Sequence, residues 1–191
     1  MFNNCQNLAS LDVSTWDTSS VTNMQYMFWK CKTLKLLILG NWNFSKLTNM
    51  SYIFGTNANV KMSLETLDIV NWEISESTLT ENLLYVNDES LYSIKNIRCN
   101  NINVISNVVL PNIPTRSSDN KGQIITSATL SQDIVNTLAS KNWTVVSDST
   151  LTKVTEYVYD SKICRSMIPK FNDEFVKYFI DDVEDENGLV T

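Results

Sequence analysis

Apolar residues at Leu8, Leu11, Val13 and Trp16 reappear 26 positions later as Leu34, Leu37, Leu39 and Trp42. A self-repeat of this kind constrains architecture more tightly than local propensity does. The overlay extends to Met1-Phe2 on Met27-Phe28, Cys5 on Cys31, Ser19 on Ser45, Val21 on Leu47, Thr22-Asn23-Met24 on Thr48-Asn49-Met50 and Tyr26 on Tyr52. Chance does not align this many positions. The reduced template L-x-x-L-x-L-x-x-W recurs as Leu64, Leu67, Ile69, Trp72 and as Ile94, Ile97, Cys99, Ile102, at spacings of 26, 30 and 30 residues. A degenerate fifth copy is read at Ile125, Ser127 and Leu130.

Each unit holds two periods. Leu11 and Val13 alternate with Asp12 and Ser14, which predicts a short half-buried strand. Val21, Met24, Phe28 and Cys31 are spaced 3, 4 and 3, which predicts one face of a short helix with Ser19 or Ser20 as its N-cap. Such a unit cannot bury both faces alone, so successive units must stack strand beside strand. The expected fold is an α/β solenoid: a leucine-rich-repeat ladder of short parallel strands with short helical turns, followed by a small β-rich C-terminal segment.

The array loses regularity along the chain. Insertions at 57–63 and within 75–90 lengthen the connections, and residues 103–122, with Pro111, Pro114 and a polar run from Thr115 to Gly122, read as an excursion loop. Ile124-Ile125 begin a strand. Ser131 caps a helix, Gln132 to Lys141, with Ile134, Val135 and Leu138 on its apolar side, and Trp143-Thr144-Val145-Val146 follows as an edge strand. The solenoid is therefore expected over 1–147, with a closing helix at 131–141. Residues 148–191 are expected to be a β-rich segment beginning a further domain, with Asn187-Gly188 as a hairpin turn. Apolar first-rung edges and a returning strand of only Leu189-Val190-Thr191 suggest that the chain is part of a longer polypeptide or assembly and self-associates in isolation.

The run from Met1-Phe2 through Cys5, Leu8, Leu11-Asp12, Ser14, Trp16-Asp17-Thr18-Ser19, Val21-Thr22-Asn23-Met24 and Met27-Phe28 resembles the BspA-type leucine-rich repeat of bacterial surface proteins. Such repeats also occur in mycoplasma surface lipoproteins, some protozoa and phage genomes. The resemblance implies an extracellular, non-enzymatic protein of adhesion or recognition, and it implies no particular ligand.

Composition narrows the chemistry. The chain has no His, which removes the commonest general base, the commonest neutral metal ligand and every Ser-His or Cys-His nucleophile pair. Fifteen basic against 21 acidic residues give a net charge of −6, which disfavours nucleic acid and anionic lipid as partners. No run of 18 apolar residues and no signal peptide is present, so direct membrane insertion is not expected. No cofactor is expected.

Individual residues are weighed against plain packing. Cys5 and Cys31 share one repeat position and read as reduced core thiols ahead of a disulfide or metal role. Trp16, Trp42 and Trp72 form a column, read as interior packing ahead of an exposed sugar-stacking ladder. Asn23 and Asn49 read as groups that satisfy local backbone. The acidic run Asp181-Asp182-Val183-Glu184-Asp185-Glu186 lacks the ligand spacing of a calcium loop. Sequons at Asn43, Asn49 and Asn142 carry little meaning outside eukaryotic secretion. The positions most free to bind are the outward strand residues Asp12, Ser14, Ile38, Gly40, Asp68, Val70, Arg98 and Asn100, which a solenoid lines up from rung to rung.

Two functions fit. One is an extracellular or cell-surface recognition and adhesion module that binds a protein or glycan through the sheet face. The other is a structural or receptor-binding component of a phage virion appendage, its partners being other subunits of the particle.

Overall fold

The computed structural model describes residues 1–56, 61–86 and 92–151. All of them fall in the first of two units into which the chain divides, Met1–Val154; the second, Thr155–Thr191, lies outside them. The β-rich C-terminal segment, its Asn187-Gly188 turn, the acidic run and Cys164 therefore lie outside the described residues.

The chain coils into a parallel β-solenoid. Its principal ladder contains β1 (Ser10–Asp12), β3 (Leu36–Ile38), β5 (Thr66–Asp68), β7 (Asn96–Arg98), β8 (Gly122–Thr126) and β9 (Trp143–Ser147). Parallel pairing sets Leu11 beside Leu37, and Leu67 beside Ile97, Ile124 and Val145. Among the described residues these strands form two hydrogen-bonded groups, β1–β3 and β5–β7–β8–β9. The inward column is dry where the stack is deepest: Leu67, Ile97 and Ile124 are buried, whereas Leu11 on the first rung is half-buried.

The second leg of each repeat departs from expectation. Val21, Met24, Phe28 and Cys31 do not lie on a helix, and neither Ser19 nor Ser20 is an N-cap. Their leg is a run of tight turns that ends in a second parallel ladder, β2 (Phe28–Trp29), β4 (Phe54–Thr56) and β6 (Leu84–Val86). Single parallel bridges from Asn23 to Asn49 and from Asn49 to Leu79 lie between the two ladders. The inward positions were legible, since Met24, Phe28 and Cys31 are all buried. The backbone differs because its hydrogen bonds run between rungs: the amides of Met24, Tyr26 and Phe28 donate to the carbonyls of Asn49, Ser51 and Ile53 at 2.8, 3.2 and 3.0 Å. Tyr26, Tyr52 and Asn82, one per rung, take left-handed conformations with φ of 57°, 57° and 55°, which no helix interior accepts.

Side chains bind the rungs together. The Thr18 hydroxyl donates to the Asn43 carbonyl at 3.1 Å and accepts from the Asn43 amide at 2.7 Å. The Thr78 hydroxyl donates to the Leu47 carbonyl at 2.8 Å. Inside, Phe2, Phe28 and Phe54 stack at 5.7 and 5.5 Å with nearly parallel rings. Trp42 and Trp72 lie beside this stack and are buried, whereas Trp16 is 39% exposed against Phe2.

Two further expectations are corrected farther along. Residues 102–112, expected within an excursion loop from 103, are helical: α1 (Ile102–Val104), a π-helical stretch (Ile105–Val109) and α2 (Leu110–Asn112). Asn101 is the N-cap, and Val104, Ile105, Val108 and Val109 turn one apolar face to the core. The widened turn precedes Pro111, whose ring has no amide proton and crowds the carbonyl four residues back. The fifth repeat lies one residue earlier than read: the inward residues of β8 are Gly122, Ile124 and Thr126, while Ile125 is only half-buried. A helix expected over Gln132 to Lys141 is present as α3 (Gln132–Ser140), with the Ser131 hydroxyl accepting from the Ile134 amide at 3.4 Å and Leu138 buried.

Candidate functional site

Outward residues of the principal ladder align in three rows. Ser10 meets Leu36, and Thr66 meets Asn96, Gln123 and Thr144; Asp12 meets Ile38, and Asp68 meets Arg98, Ile125 and Val146. Ser14, Gly40, Val70 and Asn100 follow just beyond the strands. The first of these rows was not singled out from sequence, although the period-two alternation around Leu11 implies it.

The eight outward residues named from sequence share a face but not an environment. Asp12 is exposed and accepts a hydrogen bond from the Ser14 amide at 2.9 Å. Ile38 and Ser14 are half-buried. Gly40, at φ +69°, lies so close to the preceding rung that an added Cβ would sit 2.5 Å from the Ser14 Cα. Its role is backbone approach, which only glycine permits. Val70 and Arg98 are buried. Arg98 lies 3.6 Å from Asp68, and burial holds the Asp68 carboxyl above the usual range against the pull of Arg98. The Asn100 amide donates to the Leu151 carbonyl, and its oxygen accepts from the Ser127 amide at 2.8 Å. The face is thus open near β1 and β3 and tied to its own chain near β7.

The remaining candidates are structural in geometry. Asn23 and Asn49 each accept from the amide two residues on, Gln25 and Ser51, at 2.8 and 2.9 Å. Cys5, Cys31 and Cys99 are free thiols. The Cys31 thiol donates to the Phe2 carbonyl at 3.0 Å. Burial raises the Cys31 pKa and pushes that of Cys99 up to about 12, so neither is poised as a nucleophile. No group of three His, Cys, Asp or Glu able to hold a metal occurs among the described residues, and no helix among them is long and apolar enough to cross a membrane.

Sequence reasoning missed a second surface. On the outer side of the second ladder, Tyr26 and Tyr52 stack at 5.0 Å and 21°, while Trp29 and Tyr85 stack at 6.1 Å and 21°. Trp29 stands at 76° to Tyr26 and 84° to Tyr52, so the two pairs form the walls of a corner. Register explains the second pair: Trp29, Gly55 and Tyr85 occupy successive rungs, and Gly55, on the rung between the two rings, lies so close to the next strand that an added Cβ would collide with the Tyr85 carbonyl oxygen. The available signal was the Tyr26-to-Tyr52 match of the 26-residue repeat.

These features define a class, the parallel β-solenoid repeat proteins. Within that class the chain belongs to the family described as Mycoplasma protein of unknown function, DUF285, whose model matches residues 1–111. No match was found among curated proteins or among solved structures.

Proposed function

We propose that the chain is a non-enzymatic recognition module, displayed outside the cell, that holds a protein or glycan partner against the open part of its principal ladder. The carrying observation is the row register: Asp12 beside Ile38, with Ser14 at the edge, on a backbone fixed by inter-rung hydrogen bonds. A rigid scaffold loses little conformational freedom when it binds, so modest contacts retain their affinity. The likeness of residues 1–28 to BspA-type leucine-rich repeats supports kinship with bacterial surface repeats and hence the extracellular setting.

The test couples the 191-residue chain to fluorescent beads and measures their attachment to cultured epithelial cells. The parent should attach, and the double variant Asp12→Arg, Ile38→Arg should lose most attachment while melting near the parent. Beads that fail to attach, or a variant that attaches equally, overturn the reading.

A further inference from the structure

We propose that the aromatic corner formed by Tyr26, Trp29, Tyr52 and Tyr85 binds a neutral oligosaccharide. This goes beyond the recognition reading, since it places a ligand contact on the second ladder rather than on the principal one.

Backbone energetics mark the corner first. Tyr26 and Tyr52 adopt left-handed conformations, which are strained for a residue with a Cβ. The third rung places Asn82 at the same position, and Asn is a residue that tolerates this geometry. Two rungs thus hold tyrosine where asparagine or glycine is the locally easier choice.

Chemistry then selects the ligand. The corner's contacts are ring faces and edges plus one hydrogen bond between uncharged groups, from the Asn82 amide to the Tyr52 hydroxyl oxygen at 2.9 Å. Because Asn82 donates to that oxygen, the Tyr52 hydroxyl keeps its own proton to donate outward. Trp29 is buried, while Tyr26 is 36% exposed and Tyr52 and Tyr85 are half-exposed. The accessible surface is therefore tyrosine: an apolar ring with a polar tip. A pyranose complements it, with an apolar C–H face for the ring and hydroxyls for the rim. Charge completes the match. Among the described residues the corner's contacts carry no ionic group to pair with a charged glycan, so a neutral sugar is the match.

The test titrates the 191-residue chain with maltotriose, cellotetraose, chitotriose, mannotriose and N-acetyllactosamine, following tryptophan fluorescence, with sialyllactose as the acidic probe. At least one neutral probe should shift the emission. Tyr26→Ala should weaken that response at least tenfold with an unchanged circular dichroism spectrum, while Lys121→Ala, at an exposed position just before β8, should leave it intact. No response to any neutral probe, an equal response to sialyllactose, or an unaltered response in Tyr26→Ala overturns the proposal. Bead attachment without a sugar response overturns this inference alone. A sugar response without bead attachment supports the corner and overturns the adhesion reading.

Discussion

At the scale of single residues, the solenoid is least tolerant where rungs approach closely or where charge is buried. Gly40 combines both backbone demands, a left-handed φ and contact with Ser14. Gly40→Ala should therefore destabilise the chain by about 1–3 kcal/mol, read as a lower midpoint in urea. A midpoint equal to the parent's would show that the first two rungs separate at no cost. Asp68 gives a pH dependence of definite sign. Its folded pKa lies above the unfolded value because burial outweighs Arg98, so folding takes up a proton. Stability must then fall as pH rises from the ordinary aspartate value of about 3.9 through the folded pKa. Asp17 and Asp148 are lowered by hydrogen bonds from Ser19 and Thr150 and act oppositely, at pH below the ordinary range. Melting temperatures of the parent and Asp68→Asn should thus diverge as pH is raised through that upper window, with the parent losing more. Parallel curves would mean that Arg98 compensates the half-buried charge of Asp68 in full.

Elements in this fold are too short to stand alone, and their stability comes from the rungs above and below. The strands of the second ladder have two or three residues each; what joins them is the inter-rung amide bonding and the Phe2–Phe28–Phe54 stack. Phe28 and Phe54, 5.5 Å apart, should couple by about 0.5–1.5 kcal/mol in a double-mutant cycle, made with leucine at each position to limit cavity formation. Val13 and Ile124, on distant rungs, should behave additively. Equal coupling in both pairs would argue against nearest-neighbour stacking. The helical stretch 102–112 replaces the second ladder after β6 and hands over through one side chain, the Asn112 oxygen accepting from the Leu83 amide at 2.9 Å. Farther on, the buried Arg116 donates to the carbonyls of Ile94 and Asn120 at 2.9 and 2.5 Å and lies 5.5 Å from the rings of both Tyr92 and Trp143. A residue that reads as part of a polar loop thereby becomes a core tie.

For the whole molecule, a stack in which each rung contacts its neighbours opens from its ends rather than all at once. Cys31, against Phe2 near the first rung, and Cys99, on the β7 rung with its pKa near 12, report on this directly. In the 191-residue chain under native conditions, a thiol reagent should modify Cys31 faster than Cys99, with peptide mass mapping to tell them apart. Equal rates would indicate one cooperative unfolding event. The repeat, the stacking direction, the inward column of Leu37, Leu67 and Ile97, the interior place of Trp42 and Trp72, and the Ser131 cap are legible from residue order, because burial periodicity and capping are local in the chain. The backbone of the second leg is not legible in the same way: a 3-4-3 apolar spacing satisfies a helical face and the corners of a β-coil equally well. Contacts between repeats select the β-coil, since the hydrogen bonds of Met24, Tyr26 and Phe28 go to residues about one repeat away. The same holds for the burial of Arg116 and for the meeting of Trp29 with Tyr85 across Gly55. Each depends on which rung lies next to which, and that is fixed by packing between repeats rather than by any local pattern.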